Sequence, residues 1–364
     1  MKVLHCMNTA NIGGLEKLVT DLVLYQKSLG FEVAVLLGKR EGHYYNILQE
    51  NQIEVFESEI FGGYDIAKDK IIRLSELFSK YEIIHFHYFS AALFRAAKHS
   101  KIVYTAHGQS KGIRKENFLK YFVRETIKRY YLNKVDFLIA NSHFILGLMK
   151  KHYGLKGIKM KTVYNGIPLG QQVIPDSPKH HDEFLTVGSI SRFVDSKKME
   201  RAVISFEKFL KLGGKGELYL IGDGATYEKI KKLVEELNIQ WFVHMPGFST
   251  KIEEYYREFD VCIFPYTQEP FGLVAVEAYN MGKAVYVFAD SGGLREIVEG
   301  IEPENIAIDE LEMAQKLFYA FKHKDEIFDG SLKRVEYAQA NFAIERMERE
   351  YEEIYESLLL NDQE

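Results

Sequence analysis

Two glutamates stand eight residues apart in a segment that is otherwise largely apolar. They are Glu269 and Glu277, the first and last residues of the stretch EPFGLVAVE, in which leucine, valine and alanine precede the second acid. Acidic side chains are seldom fully buried without a partner, because an unpaired charge in an apolar environment is costly. If this segment is a helix, we therefore expect Glu277 to be a buried carboxylate that binds a ligand.

The spacing of the two acids suggests the size of that ligand. Along a helix that rises about 1.5 Å per residue, they would lie ~12 Å apart, which is comparable to a nucleoside diphosphate sugar from ribose to sugar ring. Pro270 suits a first helical turn, and the amides of Phe271, Gly272 and Leu273 would then be free to meet phosphate or sugar oxygens.

The surrounding chain alternates short apolar runs with longer amphipathic stretches, which is typical of βαβ units and parallel sheets. Strands are predicted in the first half at 2–7, 32–37, 53–58, 82–88, 101–107, 136–142 and 160–166. Strands are predicted in the second half at 184–190, 216–222, 241–247, 261–266 and 283–289. The polar, proline-containing segment 167–183 interrupts the alternation and predicts an interdomain linker.

The fold expected from this pattern is α/β, with two doubly wound Rossmann-like domains that face a cleft. The predicted domains are 1–170 and 171–345. Residues 346–364 are predicted to form a C-terminal helix that returns to the N-terminal domain.

The segment EPFGLVAVE resembles the signature of the retaining glycosyltransferases of the GT-B fold, in the large group called family 4. That resemblance implies that Glu277 holds the ribose hydroxyls of a sugar nucleotide and that Glu269 contacts the transferred sugar. The resemblance covers nearly the whole chain, because other motifs of the family also occur in this sequence, in the family's order.

These motifs imply the remaining candidate residues. NIGGLEK (11–17) resembles the glycine-rich loop after the first strand, and TAHG (105–108) contains the histidine beside the transferred sugar. SRFVDSK (191–197) resembles the segment that clamps the diphosphate, although the family commonly has glycine where this chain has Ser191 and Lys198. IGDG (221–224) and MPGF (245–248) resemble turns that border the base. The residues implied are Gly13, Gly14, His107, Arg192, Lys197, Gly222, Gly247 and Phe248.

The chemistry implied is transfer from a nucleotide diphosphate sugar, most simply a UDP-sugar, to a surface glycan or glycolipid with retention of configuration, as in polysaccharide or lipopolysaccharide biosynthesis. No paired aspartates follow a predicted strand, so Arg192, Lys197 and helix amides are expected to stabilise the leaving group without a metal or other cofactor. His85 and His87 could bind zinc, but no third ligand stands at suitable spacing, which favours a structural role.

Two alternatives stay open at this point. One is a non-catalytic partner subunit of the same fold, which would be expected to lose the catalytic charges. The other is a nucleotide-sugar epimerase of similar architecture, which needs no acceptor. A dehydrogenase is disfavoured because Gly222 and Gly224 lack the third glycine of a dinucleotide fingerprint.

Charge is distributed unevenly. Residues 1–170 have 25 Lys and Arg against 15 Asp and Glu, and the rest of the chain's 47 basic and 52 acidic residues, 22 and 37, lie in 171–364. Segment 110–134 adds a predicted helix with an apolar stripe and a basic row formed by Lys120, Arg124 and Lys128, which suggests an anionic membrane surface as partner. No nucleic-acid partner is expected.

The location expected from the sequence is cytoplasmic, with peripheral attachment to the inner face of the membrane. No signal sequence or bilayer-spanning run is apparent, and two cysteines far apart argue against a disulfide framework.

Overall fold

The computed structural model describes residues 1–58, 60, 68–108, 118–170 and 183–360, and the chain divides into two units. Unit 1 contains Met1–Pro168 and Ala343–Glu364, and unit 2 contains Leu169–Phe342. This division lies two residues from the boundary predicted at 170/171. Most of the predicted linker, residues 171–182, lies outside the described residues.

Unit 1 is built on a parallel sheet. Its strands are β1 (Lys2–Cys6), β2 (Glu32–Leu37), β3 (Glu54–Glu57), β4 (Ile83–Phe86), β5 (Lys101–Ala106), β6 (Phe137–Ala140) and β7 (Lys159–Thr162). They follow the order β3-β2-β1-β4-β5-β6-β7. The strands lie within a few residues of the predicted ones. The inner strands, such as β4 and β5, are almost fully buried and largely apolar, whereas the edge strands β3 and β7 are partly exposed and carry charged residues.

Helices connect and cover this sheet. They are α1 (Gly14–Ser28), α2 (His43–Glu50), α3 (Lys68–Phe78), α4 (Ala91–Ala96), α5 (Phe118–Leu132), α6 (His143–Tyr153) and, from the end of the chain, α15 (Ile344–Leu360). Met347, Tyr351 and Tyr355 of α15 pack into one buried cluster with Val3 and Leu18. The predicted return of the C-terminal helix to the N-terminal domain is therefore confirmed.

Unit 2 has a second parallel sheet. Its strands are β8 (Leu185–Ile190), β9 (Gly216–Ile221), β10 (Val243–Gly247), β11 (Val261–Phe264), β12 (Ala284–Phe288) and β13 (Ile306–Ala307), in the order β10-β9-β8-β11-β12-β13. Its helices are α7 (Met199–Lys211), α8 (Tyr227–Glu236), α9 (Ile252–Glu258), α10 (Leu273–Asn280), α11 (Gly293–Glu299), α12 (Glu310–Lys322), α13 (Lys324–Asp329) and α14 (Ser331–Phe342).

Each sheet has a point where the strand order reverses. In unit 1 the reversal falls between β1 and β4, and in unit 2 between β8 and β11. Loops that leave the carboxyl ends of such neighbouring strands diverge to opposite faces and open a crevice, where α/β proteins bind ligands. Among the described residues, no helix is long and apolar enough to cross a bilayer.

Candidate functional site

The loops that follow β8 and β11 are joined at the reversal point of unit 2. The hydroxyl of Tyr266 donates a hydrogen bond to the carbonyl of Ile190 at 2.7 Å, and the amide of Thr267 donates to the carbonyl of Ser196 at 3.1 Å. The Tyr266 side chain is fully buried. These bonds fix the two loops against each other, so that side chains from both reach one place.

The central contact at this place is an ion pair. The ammonium of Lys197 lies 2.9 Å from a carboxylate oxygen of Glu269 and 3.8 Å from the centre of the Tyr266 ring. Arg192 begins the same loop and is exposed. Lys197 and Glu269, which are 72 residues apart in the sequence, are thus brought together by loops that follow neighbouring strands.

The backbone of Glu269 is fixed on both sides. Its amide donates to the carbonyl of Ser291 at 3.0 Å, and its carbonyl accepts from the amide of Gly293 at 2.8 Å. This bridge lies beside the start of α11. Because the main chain cannot turn, the Glu269 carboxylate is directed by the fold and not by its side-chain rotamer alone.

The helix expected through both acids is shorter than predicted. It begins at Leu273, so Glu269, Pro270 and Phe271 precede it in non-helical chain, and the continuous helix from which the ~12 Å spacing was calculated is not formed. Gly272 explains the late start, since it has φ 106° and ψ 61°, and a Cβ there would come within 2.6 Å of Leu294. Phe271 is buried at 2% exposure, and α10 begins two residues later with its first amides at a helix N-terminus, the end of a helix that favours anions.

Glu277 is partly exposed and not buried as expected. It shares the open side of α10 with Leu273 and Val274, while Ala275, Val276, Ala278 and Tyr279 face the interior. The hydroxyl of Tyr256 donates to the carbonyl of Val274 at 3.1 Å and lies 3.5 Å from the Glu277 carboxylate. Burial, together with the nearby charge of Glu277, raises the pKa of Tyr256 well above its ordinary value.

The turns that follow β8, β9 and β10 also meet. The amide of Gly222 donates to the carbonyl of Gly247 at 2.9 Å, and a Cβ on Gly222, at φ 133°, would lie 1.8 Å from the carbonyl oxygen of Ser191. Glycine is therefore required here for close approach of two backbones. Phe248 follows this junction and is 71% exposed, so its ring is accessible for stacking.

Lys198 has the backbone conformation of the glycine that it replaces. It is left-handed, with φ 48° and ψ 40°, at the start of α7. A left-handed conformation costs an L-residue ~1 to 2 kcal/mol, and glycine avoids this cost. Part of that gain is offset, because glycine loses more chain entropy on folding. We expect Lys198→Gly to raise the free energy of unfolding by about 0.5 to 1 kcal/mol in urea titration, because its exposed pair with Glu200 at 3.6 Å contributes little.

A matched control for this substitution lies in the same helix. Lys208→Gly, inside α7, should instead lower stability by about 1 kcal/mol, since glycine is a poor helix former. Equal destabilisation by both changes would contradict strain at Lys198.

In unit 1, the glycine-rich loop leads into α1. Gly13 is the N-cap at φ −170°, an extended conformation open to any residue, and Gly14 is the first helical residue. A Cβ on Gly13 would lie 2.2 Å from the carboxylate of Glu16, which accepts a hydrogen bond from the Thr9 hydroxyl at 2.8 Å. Glu16 therefore covers the helix start, a role that the sequence analysis did not assign.

His107 follows β5 and ends a row of histidines. Its Nε2 lies 3.0 Å from Nδ1 of His87, whose Nε2 lies 3.0 Å from Nδ1 of His5. His85 bonds separately to the hydroxyls of Tyr355 and Thr105, at 2.6 and 2.7 Å. Neighbouring strands in register bring these residues together, which is how His5 escaped the sequence analysis.

His5, His85 and His87 form a candidate metal group, with ligand atoms all within 4.8 Å of one another. The structure thus supplies the third ligand that sequence spacing did not. All six ring nitrogens of these residues, however, already have hydrogen-bond partners. The donor set therefore fits a satisfied buried network better than a zinc site, which would have to break most of these bonds.

The basic row predicted on α5 is wrong. Lys128 is buried at 7% exposure, with its ammonium 5.2 Å from the centre of the Tyr153 ring and beside Glu125. Desolvation is the main cause that lowers its pKa. The helix instead turns Phe122 and Tyr130 outward, at 61% and 56% exposure; residues 110–117 lie outside the described residues.

The chain has two parallel sheets with alternating helices, and its candidate loops lie at the strand ends. This architecture is that of the GT-B class of proteins. Two family models match the chain: Glycosyltransferase Family 4 at residues 12–171 and Glycosyl transferases group 1 at residues 171–310. The chain belongs to the GT-B glycosyltransferases described by these two models.

Relatives of known sequence or structure agree with this membership. An uncharacterized glycosyltransferase of Methanocaldococcus jannaschii is 27% identical over 79% of this chain and 78% of its own length. The poly(ribitol-phosphate) alpha-N-acetylglucosaminyltransferase of Staphylococcus aureus is 26% identical over 35% of this chain, and the match spans only 26% of that enzyme. The crystal structure of Anabaena HepE in complex with UDP has a TM-score of 0.80, 19% identity, and coverage of 98% and 100% of the two chains.

Proposed function

We propose that the protein transfers a sugar from a UDP-sugar to a surface glycan or glycolipid, with retention of anomeric configuration and without a metal. The observation that carries the proposal is the Lys197–Glu269 pair at the reversal point of unit 2, next to the N-terminus of α10 and the open side that carries Glu277. The resemblance of EPFGLVAVE to the family signature gives these residues their roles.

The groups at this place suit a diphosphate leaving group. Lys197, Arg192 and the first amides of α10 supply fixed positive charge where the negative charge of a nucleoside diphosphate develops. In unit 2, Glu277 would accept hydrogen bonds from the ribose hydroxyls and Glu269 would contact the transferred sugar. In unit 1, the resemblance gives His107 a contact with a substrate hydroxyl. Gly222, Gly247 and Phe248 would border the base, and Gly13 and Gly14 would let the chain approach the diphosphate or the acceptor.

The reaction that we propose breaks the bond between the anomeric carbon and the diphosphate oxygen and forms one to an acceptor oxygen on the same face. The acceptor hydroxyl gives its proton to the leaving phosphate. The protein cations stabilise that phosphate, so the proposal includes no step that needs a metal ion.

Turnover is accordingly expected to survive chelation. With EDTA in excess over total divalent cation, the rate of product formation should stay within about twofold of the untreated rate, since fixed cations replace the metal. Near-complete loss that magnesium or manganese restores would show that the diphosphate clamp has been misassigned.

The donor is tested by thermal shift against UDP, GDP, ADP and TDP. A nucleotide at 100 times its dissociation constant stabilises the folded state by about 2.7 kcal/mol, so the preferred base should give the largest rise in Tm. The UDP in the Anabaena complex supports uridine. A larger shift with another base would overturn the UDP assignment while leaving the transferase intact.

Two rival functions predict different products. A non-catalytic subunit would bind a nucleotide without consuming it, and the presence of Lys197, Glu269 and Glu277 argues against that role. An epimerase would convert the donor without an acceptor. Mass spectrometry of reactions with and without an acceptor glycan separates the three, because only a transferase joins sugar to acceptor. The name of the S. aureus relative supports a polymer acceptor.

We also propose that α5 contacts an anionic membrane, through a different face from the one first predicted. Phe122, Thr126 and Tyr130 form an exposed line at i, i+4 spacing, flanked by Arg129 and Lys134. Apolar residues bordered by basic ones are typical of helices that lie in a lipid interface. Contact of this unit with a membrane would suit a lipid-linked acceptor.

Vesicle sedimentation tests this face. Phe122→Ser with Tyr130→Ser should reduce binding to vesicles of anionic lipid at low salt by tenfold or more, roughly, because apolar burial and charge act together at such a surface. Lys150→Gln with Lys151→Gln on α6, also exposed, is the matched control and should bind like the wild type. Equal sedimentation of all three proteins would refute membrane contact through α5.

A further inference from the structure

A hydrogen-bonded path runs from the C-terminal helix of unit 1 to His107. The Gln26 amide nitrogen lies 3.4 Å from a carboxylate oxygen of Glu348, and its amide oxygen lies 2.8 Å from Nε2 of His5. From His5 the path continues through His87 to His107, with 3.0 Å at each step. Gln26, His5 and His87 are at most 3% exposed, so water does not interrupt it.

The histidines on this path are neutral. Burial lowers the pKa of His5 to about 4 and that of His107 to about 3, and it holds the pKa of His87 well below its ordinary value. A neutral imidazole has one N–H donor and one lone pair. Each ring on the path therefore donates in one direction and accepts from the other.

The glutamine sets that direction. Because the Gln26 amide nitrogen donates to Glu348, its oxygen is the group that accepts from His5, so the proton of His5 lies on Nε2. The Nδ1 of His5 must then accept from Nε2 of His87, and Nδ1 of His87 must accept from Nε2 of His107. One proton per bond leaves no other arrangement while Gln26 keeps this orientation.

We infer that Gln26, His5 and His87 are positioning residues that hold His107 in the tautomer protonated at Nε2, so that its Nδ1 presents a lone pair to accept a hydrogen bond from a substrate hydroxyl. The inference rests on the proposed function for its catalytic consequence. The tautomer itself does not depend on the identity of donor or acceptor.

A second branch of the cluster supplies an internal control. The His85 ring is tilted against that of His87, with ring centres 4.1 Å apart, but its nitrogens bond to the hydroxyls of Thr105 and Tyr355 and to no histidine of the path. Tyr355 in turn contacts Gln26, so only the Thr105 side of this branch is used as the control. Thr105 is fully buried, and valine has nearly the same shape. Thr105→Val therefore disturbs the same core without breaking the path.

Nitrogen chemical shifts of the ¹⁵N-labelled full-length chain read the tautomer directly, since protonated and unprotonated ring nitrogens differ widely. His107→Asn assigns the signals. Spectra recorded at least one pH unit above the pKa of Glu348, which burial raises to about 7, keep that carboxylate an acceptor. We expect His107 to carry its proton on Nε2 in the wild type and in Thr105→Val.

Removal of the Gln26 acceptor should release this preference. In Gln26→Leu, His107 should populate the Nδ1-protonated tautomer, and turnover should fall about three- to tenfold, the worth of one hydrogen bond, with nucleotide affinity unchanged.

The outcomes separate this inference from the proposed function. An Nδ1-protonated His107 in the wild type, or an unchanged tautomer in Gln26→Leu, would overturn it whether or not the protein is active. A changed tautomer with wild-type turnover would also overturn the inference, because the tautomer of His107 would then have no effect on the reaction. A wild type that forms no product with any nucleotide sugar would instead overturn the proposed function.

Discussion

Glu277→Ala is expected to weaken binding of the donor nucleotide ten- to a hundredfold while leaving the turnover of saturated enzyme close to that of the wild type. The reason is that a carboxylate which accepts ribose hydrogen bonds contributes equally before and during reaction, and such charged bonds are worth ~1.5 to 3 kcal/mol. Nucleotide titration gives the dissociation constant, and steady-state kinetics gives turnover.

Because Glu277 is partly exposed, this test measures binding with little effect on the packing of the core. Its removal opens no core cavity, because it lies on the side of α10 that the interior does not cover. Glu228→Ala, at the first turn of α8, is a control of the same chemistry away from the site and should change neither constant. A Glu277→Ala enzyme with wild-type nucleotide affinity would remove the ribose assignment.

Glu269→Ala should show the opposite pattern, with turnover reduced about ten- to a hundredfold and nucleotide affinity little changed, as expected of a group beside the reacting sugar. The 2.9 Å pair with Lys197 adds a complication that the sequence did not reveal, since alanine also leaves that ammonium without its carboxylate. Glu269→Gln keeps the shape and hydrogen-bonding capacity, so comparison of the two variants distinguishes sugar contact from charge balance. Full turnover in both would contradict a role at the sugar.

The fold was predictable because buried parallel strands leave continuous apolar runs in the sequence. VCIF at 261–264 and AVYVF at 284–288 are fully buried strands that no amphipathic pattern could imitate. Strand β13, only two residues long, left no such signal and was missed. Family motifs then located the candidate loops at the carboxyl ends of these strands.

The local geometry of the site could not be predicted in the same way. Pro270 is compatible with a first helical turn and the residues from Leu273 to Glu277 are helical, yet the left-handed Gly272 and the bridge to Gly293 delay the helix to Leu273. Lys128 follows the spacing of a basic face but faces inward, because Glu125 and aromatic rings receive it. Contacts with Gly293 and Leu294 in one case, and with Phe89 and Tyr153 in the other, contribute to both outcomes, and these partners lie too far away in the sequence to be read from a local pattern.

Arg334→Leu is expected to lower the free energy of unfolding of unit 2 by roughly 3 to 5 kcal/mol, the usual cost when one member of a buried ion pair is removed. Arg334, at 4% exposure, donates to Glu302 at 2.6 Å and to the carbonyls of Gly282 and Ile327 at 3.2 and 2.6 Å. Leucine leaves that carboxylate and both carbonyls without this donor. Urea unfolding followed by circular dichroism measures the loss, and hydrogen–deuterium exchange assigns it to unit 2.

The same substitution bears on the candidate site through α10. Gly282 follows the C-terminus of that helix, so the Arg334 guanidinium ties α14 to the element that carries Glu277. We therefore expect faster amide exchange in α10 as well as in α14, and weaker nucleotide binding. Lys232→Leu, which breaks an exposed i, i+4 pair with Glu236 at 3.4 Å in α8 of the same unit, should cost no more than about 0.5 kcal/mol and serves as control. Equal costs for the two substitutions would mean that Arg334 stabilises unit 2 no more than a surface charge does, and α10 would then have to be held by its apolar contacts alone.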